Sequence, residues 1–156
     1  PSVFGYLMMG FGGGSLIGMA TIASVKASRT KGRLLAVTAV MSGLSPILLA
    51  TAGSFFTAVV FIGCMGASQS TFMALSNTYV QTLAPDALRA RISSIYHMHA
   101  GGIMAFANLG YAFMADLYSV PPILGITGLL FAIIVGILFL SQPPLRDIYR
   151  TGEFLS

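Results

Sequence analysis

The feature that most constrains this chain is a series of five long apolar segments separated by short polar gaps. A bilayer core about 30 Å thick needs about 20 helical residues to cross it, and each segment is long enough. Backbone groups cannot be left without hydrogen-bond partners in lipid, so every segment is predicted to be a helix. The predicted spans are 2–25, 34–52, 55–83, 92–118 and 121–140, followed by a polar tail over 142–156.

The composition excludes an ordinary soluble domain. Of the 156 residues, 56% are hydrophobic and only 8% are charged, whereas about a quarter of the residues in a soluble domain are charged. So few charged residues cannot cover a surface that faces water. A lipid bilayer is therefore predicted to surround the chain as its partner. The net charge of +4 is then explained by loops that face anionic headgroups, and no nucleic-acid partner is expected.

The basic residues predict the orientation of the chain. They occupy the first gap, the third gap and the tail, as Lys26, Arg29, Lys31, Arg33, Arg89, Arg91, Arg146 and Arg150. The gaps at 51–54 and 118–121 contain none. Lys and Arg are enriched on the cytoplasmic side of membrane proteins. Loops 26–33 and 84–91 and the C-terminus are therefore predicted to be cytoplasmic, in a multi-pass protein of the plasma membrane.

Three glycines on the first segment indicate close helix packing. Gly10, Gly14 and Gly18 are spaced four residues apart and so share one face. Small residues at this spacing allow two helix backbones to approach closely in a membrane. A phosphate-binding loop is the rival interpretation, but the chain lacks both the G-x-G-x-x-G pattern and a following Gly-Lys-Ser/Thr.

Two stripes that contain uncharged polar residues each lie on one face of a predicted helix. The stripe on the third segment consists of Ser70, Asn77 and Gln81, widened by Gln69 and Ser76, and the stripe on the fourth consists of His97, Gly101, Met104, Asn108 and Ala115. Uncharged polar side chains are costly within a membrane unless they meet water, a substrate or one another. Two interpretations stay open, namely hydrogen bonds between helices and a path for a substrate or proton. The candidate substrate-path residues are Gln69, Ser70, Asn77, Gln81, His97 and Asn108.

The residues that could carry other chemistry do not form the required patterns. His97 and His99 are two apart and point to nearly opposite sides of a helix, and no cluster of Cys, Asp or Glu completes a metal site. Ser68 precedes both histidines, but neither a general base nor oxyanion donors can be recognised beside it. We expect no metal, no cofactor and no enzymatic activity. His97 is the better candidate for a group that titrates near neutral pH, with a structural role as the alternative.

Three stretches resemble the major facilitator superfamily. Residues 29–35 (RTKGRLL) resemble the loop between helices 8 and 9. Residues 83–94 (LAPDALRARISS) are similar to the junction of helices 10 and 11, particularly in bacterial exporters of the enterobactin-exporter and macrolide-efflux type. Residues 108–116 (NLGYAFMAD) look like the end of helix 11. The chain departs from the family at Arg29, where an acidic residue is usual, and at Ala90, where glycine is usual.

The resemblance implies an all-α integral membrane fold in which the five helices are helices 8 to 12 of twelve. It implies that helices 9 and 12, the second and fifth here, lie at the periphery. The chain, which begins at Pro1 without an initiator Met, is then expected to be part of a longer protein and to work with an N-terminal bundle. The gating-loop candidates that it implies are Arg29, Lys31, Gly32, Arg33, Asp86, Arg89 and Arg91.

The function expected from these residues is secondary active transport of a small molecule. The resemblance favours efflux of a small amphipathic compound such as a drug or siderophore, by alternating access and with proton antiport as a hypothesis based on His97. Two alternatives remain. One is an importer of a small metabolite on the same scaffold, and the other is a non-transporting module that packs against a partner through the glycines of the first helix.

Overall fold

The computed structural model describes residues 2–25 and 28–141, and all its regular elements are helices, as predicted. The predicted tail over 142–156 lies outside the described residues, as do Lys26 and the side chains of Arg29 and Asp116. The five helices are α1 (Ser2–Ser24), α2 (Ser28–Ala50), α3 (Phe55–Leu83), α4 (Arg89–Leu117) and α5 (Val120–Ser141).

Helix α3 has the predicted bounds, whereas α2 and α4 begin earlier than their apolar segments. Ser54 caps α3, because its side chain accepts a hydrogen bond from the Thr57 backbone N–H at 3.3 Å. Helix α2 begins at Ser28 rather than residue 34, and α4 at Arg89 rather than residue 92. Hydrophobicity marks only the part of a helix that lies in lipid, and the basic residues before it are also helical.

Helices α1 and α3 run in the same direction in close contact. A Cβ atom placed on Gly10 would meet Val59 and Ile62, and one on Gly14 would collide with the Gly63 carbonyl. One on Gly18 would lie 2.5 Å from the Ala67 carbonyl oxygen. The residue numbers of the contacting residues increase in the same direction along both helices, so the two helices are parallel. Residues 24 and 83 therefore lie at the same end of the bundle.

Helices α2 and α5 also pack through small residues, but they are antiparallel. A Cβ atom on Gly43 would lie 3.1 Å from that of Ala132, while one on Gly128 would lie 2.9 Å from the Ile47 side chain. The residue numbers on the two helices thus change in opposite directions. Because α3 packs against both α1 and α2, the four helices form the row α1–α3–α2–α5.

Helix α4 runs from one end of the bundle to the other alongside this row of helices, and it has few contacts with them. It begins where α3 ends, and it must finish where α5 begins, which the antiparallel packing of α2 and α5 places at the opposite end. None of its described side chains is buried. Cβ atoms on Gly101, Gly102 and Gly110 would meet nothing within 4 Å.

Among the described residues, four helical stretches are long and apolar enough to cross a membrane, namely Val3–Ser24, Thr30–Ala50, Phe55–Leu83 and Val120–Leu138. The fifth predicted span, on α4, does not meet that criterion. Arg89, Arg91, the two histidines and Asn108 lower its hydropathy, although its 29 residues extend about 43 Å. The structure thus supports a membrane protein with four apolar spans and one more polar helix that traverses the same thickness.

The peripheral position that the resemblance implies for the second helix, relative to a central cavity, stays a prediction. Helix α2 packs on α3 and α5 and contains buried Thr38 and Ser45, so it lies inside the row. The hydroxyl of Ser45 donates to the Met41 carbonyl oxygen at 2.6 Å. Buried hydroxyls of this kind satisfy themselves within their own helix, so they are compatible with an apolar surrounding.

Candidate substrate path

The clearest polar feature in a spanning helix is a carboxamide pair near the C-terminal end of α3. Asn77 and Gln81 are one helical turn apart, and the Gln81 Nε2 donates to Asn77 Oδ1 at 3.0 Å. Asn77 is half-buried and Gln81 is exposed. The internal bond leaves the Asn77 amide N–H groups and the Gln81 Oε1 available to a ligand. The pair therefore presents both donors and an acceptor on one face of α3.

Two other candidates on α3 have different surroundings. Ser70 lies in the α1–α3 interface, where its hydroxyl is within hydrogen-bond distance of the Ser15 carbonyl oxygen at 3.2 Å. Ser15 in turn reaches the Gly66 carbonyl oxygen at 3.3 Å. Gln69 is half-buried and, within the described part of the chain, has no hydrogen bond. The structure thus associates Ser70 with helix packing and leaves the Gln69 amide free to bind a ligand.

On the polar stripe of α4, all four residues whose burial is described are exposed, namely His97, Gly101, Met104 and Asn108. The His97 ring packs edge-on against Tyr96 with a centroid distance of 5.4 Å. In the described ranges, neither His97 nor Asn108 has a hydrogen bond, and none joins this stripe to the amides of α3. The structure therefore does not bring the two predicted stripes together through direct bonds.

The second candidate gating loop, residues 84–91, contains an ion pair. Arg89 Nη2 lies 2.6 Å from Asp86 Oδ1, and Arg89 Nε donates to the Gln81 carbonyl oxygen at 3.0 Å. Both charged side chains are largely exposed, so solvent screening makes the ion pair itself weak. Arg91, two residues further on, is exposed.

The first candidate gating loop, residues 26–33, is helical from Ser28 onward. Residues 29–33 form the first turns of α2, where Gly32 is buried, Lys31 is half-buried and Arg33 is exposed. The backbone of Arg29 is helical. Lys31 and Arg33 lie at the same end of the bundle as Arg89 and Arg91 of the second candidate gating loop, because α1 and α3 are parallel.

The buried polar residues on the inner surfaces of α2 and α3 were not predicted from the sequence. Thr38 and Ser45 on α2 and Ser68 and Thr71 on α3 are buried polar residues. Their spacing on α2, seven residues apart, is a signal that could have located them, because it places both on one helix face. Gly63 and Gly66, which face α1, were missed as well.

The comparisons with known proteins identify a family. The chain matches the family described as transmembrane secretion effector over residues 1–150. The comparison with curated proteins found no match, and neither did the comparison with solved structures. The matched range covers nearly all of the 156 residues and all five helices. The chain therefore belongs to the transmembrane secretion effector family, a family of transporters of the major facilitator type.

Proposed function

We propose that this chain forms helices 8 to 12 of a secondary active transporter that exports a small amphipathic compound from the cell. The family match supports a transport role in general. In such proteins, two helical bundles rock against each other and expose a midplane site to either side in turn. An N-terminal bundle is the partner that this mechanism requires, and α4, whose described side chains are all exposed or half-buried, offers a surface for it.

The observation that carries the proposal is the carboxamide pair of Asn77 and Gln81, which lies near the C-terminal end of α3 and so at the cytoplasmic end of the proposed path rather than at its midplane. Amides in a spanning helix are retained where they meet a ligand, water or another helix. Here they bond to each other and still present free donors and an acceptor. Apolar side chains dominate the remaining surface of the spans. A compound with apolar bulk and a few hydrogen-bonding groups would match such a lining.

The direct test replaces Asn77 with Leu in the transporter that contains this chain. The probe is ethidium, an amphipathic cation whose efflux from loaded cells is followed by its fluorescence. Loss of one ligand hydrogen bond of about 1.4 kcal/mol lowers the rate about tenfold. Thr78→Val is the matched control, because Thr78 is the exposed neighbour and its hydroxyl donates to the Ala74 carbonyl oxygen of the same helix. Equal efflux by Asn77→Leu and wild type at equal membrane abundance would contradict the proposed site.

Proton antiport is the coupling that we propose, with His97 as the group that carries the proton. His97 is exposed on the polar stripe of α4, and imidazole is a common proton shuttle in proteins. His97→Gln is expected to abolish the response of efflux to an imposed pH gradient, while His99→Gln retains it. An efflux rate that ignores the gradient in wild-type protein would exclude the coupling and leave the export proposal intact.

The proposed orientation places loops 26–33 and 84–91 and the C-terminus in the cytoplasm of a cell with this protein in its plasma membrane. Two observations support it: the common end of the bundle for both loops and the enrichment of Lys and Arg there. Single cysteines at positions 31 and 89, in a Cys64→Ala background, are expected to react with a membrane-impermeant maleimide only after the membrane is opened. Labelling of one position from outside would contradict the orientation.

An importer on the same scaffold and a packing module are the other candidates. The packing module was expected to dock a partner through the glycines of the first helix, but in the structure Gly10, Gly14 and Gly18 already pack against α3 of the same chain, so this alternative requires another surface. Under that alternative, Asn77→Leu changes the amount of folded protein and no flux is observed for any variant. Inward rather than outward accumulation of the probe would favour the importer.

A further inference from the structure

Helix α3 lies between α1 and α2 in the row, so two of its sides are packed and two face outward. The Ser70 hydroxyl marks the side on α1, because it lies 3.2 Å from the Ser15 carbonyl oxygen. Ser68 and Leu75 are buried and seven residues apart, so they share the side on α2. One outward side contains Met65, Gln69, Phe72, Met73 and Ser76, and we call it the Gln69 side.

Gln69 presents an amide without a partner on this side. It comes between Ser68 and Ser70 in sequence, and successive helical residues are rotated by about 100°, so it is turned away from both packed sides. The side chain is half-buried and, in the described part of the chain, has no hydrogen bond. Gln69 is also the central residue of the 29 in α3, about 21 Å from either end. The free amide therefore lies at the depth expected for the middle of a bilayer.

Ser76 repeats this arrangement two turns further along α3. It comes between Leu75 and Asn77, is half-buried, and makes no hydrogen bond among the described residues. The hydroxyls of Ser68 and Ser70, by contrast, each bond to a carbonyl oxygen of the same helix. Two polar groups without partners thus face the same way, about 10 Å apart along the axis. Groups of this kind are costly in a membrane unless water, a ligand or another helix meets them.

The residues around these two groups are large and polarizable. Met65 lies one turn before Gln69, and Phe72 and Met73 lie between Gln69 and Ser76. Met65 and Phe72 are half-buried, and Met73 is 42% exposed. Thioethers and aromatic rings pack favourably against other aromatic rings. Since α3 contains no charged residue, this lining suits an aromatic body and selects by hydrogen bonding rather than by charge.

We propose that the Gln69 side of α3 is a binding site for a flat aromatic compound, with the Gln69 amide and the Ser76 hydroxyl as its hydrogen-bonding groups and Met73 against the ring. The amide and the hydroxyl each offer a donor and an acceptor. A compound with polar substituents at both ends of a ring system meets both groups at once. That this compound is the exported one rests on the proposed function, while the site itself does not.

The test measures binding separately from transport. The transporter that contains this chain is placed in nanodiscs, and its Kd is measured by isothermal titration calorimetry, with empty nanodiscs as the blank. One probe is ethidium, which has amino groups at both ends of a flat ring system. The other is its deaminated analogue, which has the same rings and charge. In Gln69→Met, loss of a hydrogen bond is expected to raise the Kd of ethidium about tenfold and to leave that of the analogue unchanged.

Two further variants on α3 separate the ring from its substituents. Met73→Ala is expected to raise the Kd of both probes about threefold, because the thioether meets the ring that they share. Thr78→Val is the control, since Thr78 lies nine residues after Gln69 and so on the opposite, outward side of α3. Its hydroxyl donates to the Ala74 carbonyl oxygen of the same helix. Thr78→Val is expected to bind both probes as the wild type does.

Three results would overturn the site. They are wild-type affinity of Gln69→Met for ethidium, an equal loss of affinity for both probes, and no binding of ethidium by the wild type. A helix of the complete transporter is the other occupant to test. In that case Gln69→Met lowers the temperature of thermal unfolding and leaves the Kd of ethidium unchanged, which also overturns the proposal.

Ser76→Ala keeps the proposal falsifiable if Gln69→Met does not fold. It is expected to raise the Kd of ethidium about threefold and to leave that of the analogue unchanged. Wild-type affinity for ethidium in that variant would overturn the site. Binding with the expected pattern in a protein that exports neither probe would support the site and count against the proposed function alone.

Discussion

Helices α1 and α4 both contain several glycines, yet the structure uses them in opposite ways. On α1, Gly14 and Gly18 bring the backbone against α3, where any side chain would collide. On α4, Gly101 and Gly110 face open space. The difference shows that glycine in a membrane helix indicates close packing only when the facing helix also presents small residues. Gly63 and Gly66 on α3 provide that matching surface.

The largest expected effect is at the closest approach. Gly14→Ala places a methyl group against the Gly63 carbonyl, and neither backbone can move without separating α1 from α3. We expect a loss of about 3 kcal/mol in the free energy of unfolding, measured by denaturant titration in detergent. Gly13→Ala is the control, because a Cβ there meets nothing within 4 Å. A Gly14→Ala protein as stable as Gly13→Ala would contradict the parallel α1–α3 contact.

The α2–α5 contact is expected to be more tolerant. In Gly128→Ala, the new methyl lies 2.8 Å from the Gly43 carbonyl oxygen, a smaller overlap than Gly14→Ala has with the Gly63 backbone, and its other near contact at 2.9 Å is the Ile47 side chain, which can move. We expect a loss of about 1.5 kcal/mol in the same measurement. Gly125→Ala, on the same helix in open space, serves as the control. A cost at Gly128 above that at Gly14 would reverse the ranking of the two interfaces.

Gly110→Ala tests whether the open face of α4 at this glycine is covered by another part of the complete transporter. In the structure this site is open, so alanine is expected to raise the stability of the isolated chain by about 1 kcal/mol through its higher helix propensity. If an N-terminal bundle packs on α4 in the complete transporter, the same substitution lowers stability there. Measuring both proteins distinguishes the two cases, and a stabilised complete transporter would contradict that packing.

The smallest expected effect is at Ser70. Ser70→Ala removes the hydrogen bond to the Ser15 carbonyl oxygen and leaves the backbone contact of Gly18 unchanged. Hydrogen bonds between membrane helices contribute about 0.6 kcal/mol on average, so we expect a loss of that size. Thr78→Ala, which removes a hydroxyl bonded within α3 alone, is the control. A loss at Ser70 as large as that at Gly14 would mean that polar bonds, rather than backbone proximity, stabilise this interface.

Much of the fold was accessible from the sequence, because the bilayer imposes simple requirements on length and backbone bonding. Helix α3 has its predicted bounds, since Ser54 and Thr57 form a local cap. The earlier starts of α2 and α4 were not predicted, because charged residues continue a helix outside the lipid. The candidate site was only partly accessible. Asn77 and Gln81 were identified by their spacing, but the bond from Arg89 to the Gln81 carbonyl depends on a turn whose path the spacing does not define.

Local hydrophobicity and charge along the chain were enough to predict that it is helical, that it lies in a membrane and where its cations are concentrated. Which helices contact one another could be seen only in the tertiary structure. The placement of α2 inside the row and of α4 at its margin depends on complementary small residues on two separate helices. Such complementarity is a property of pairs of surfaces, and the pattern along one helix does not contain it.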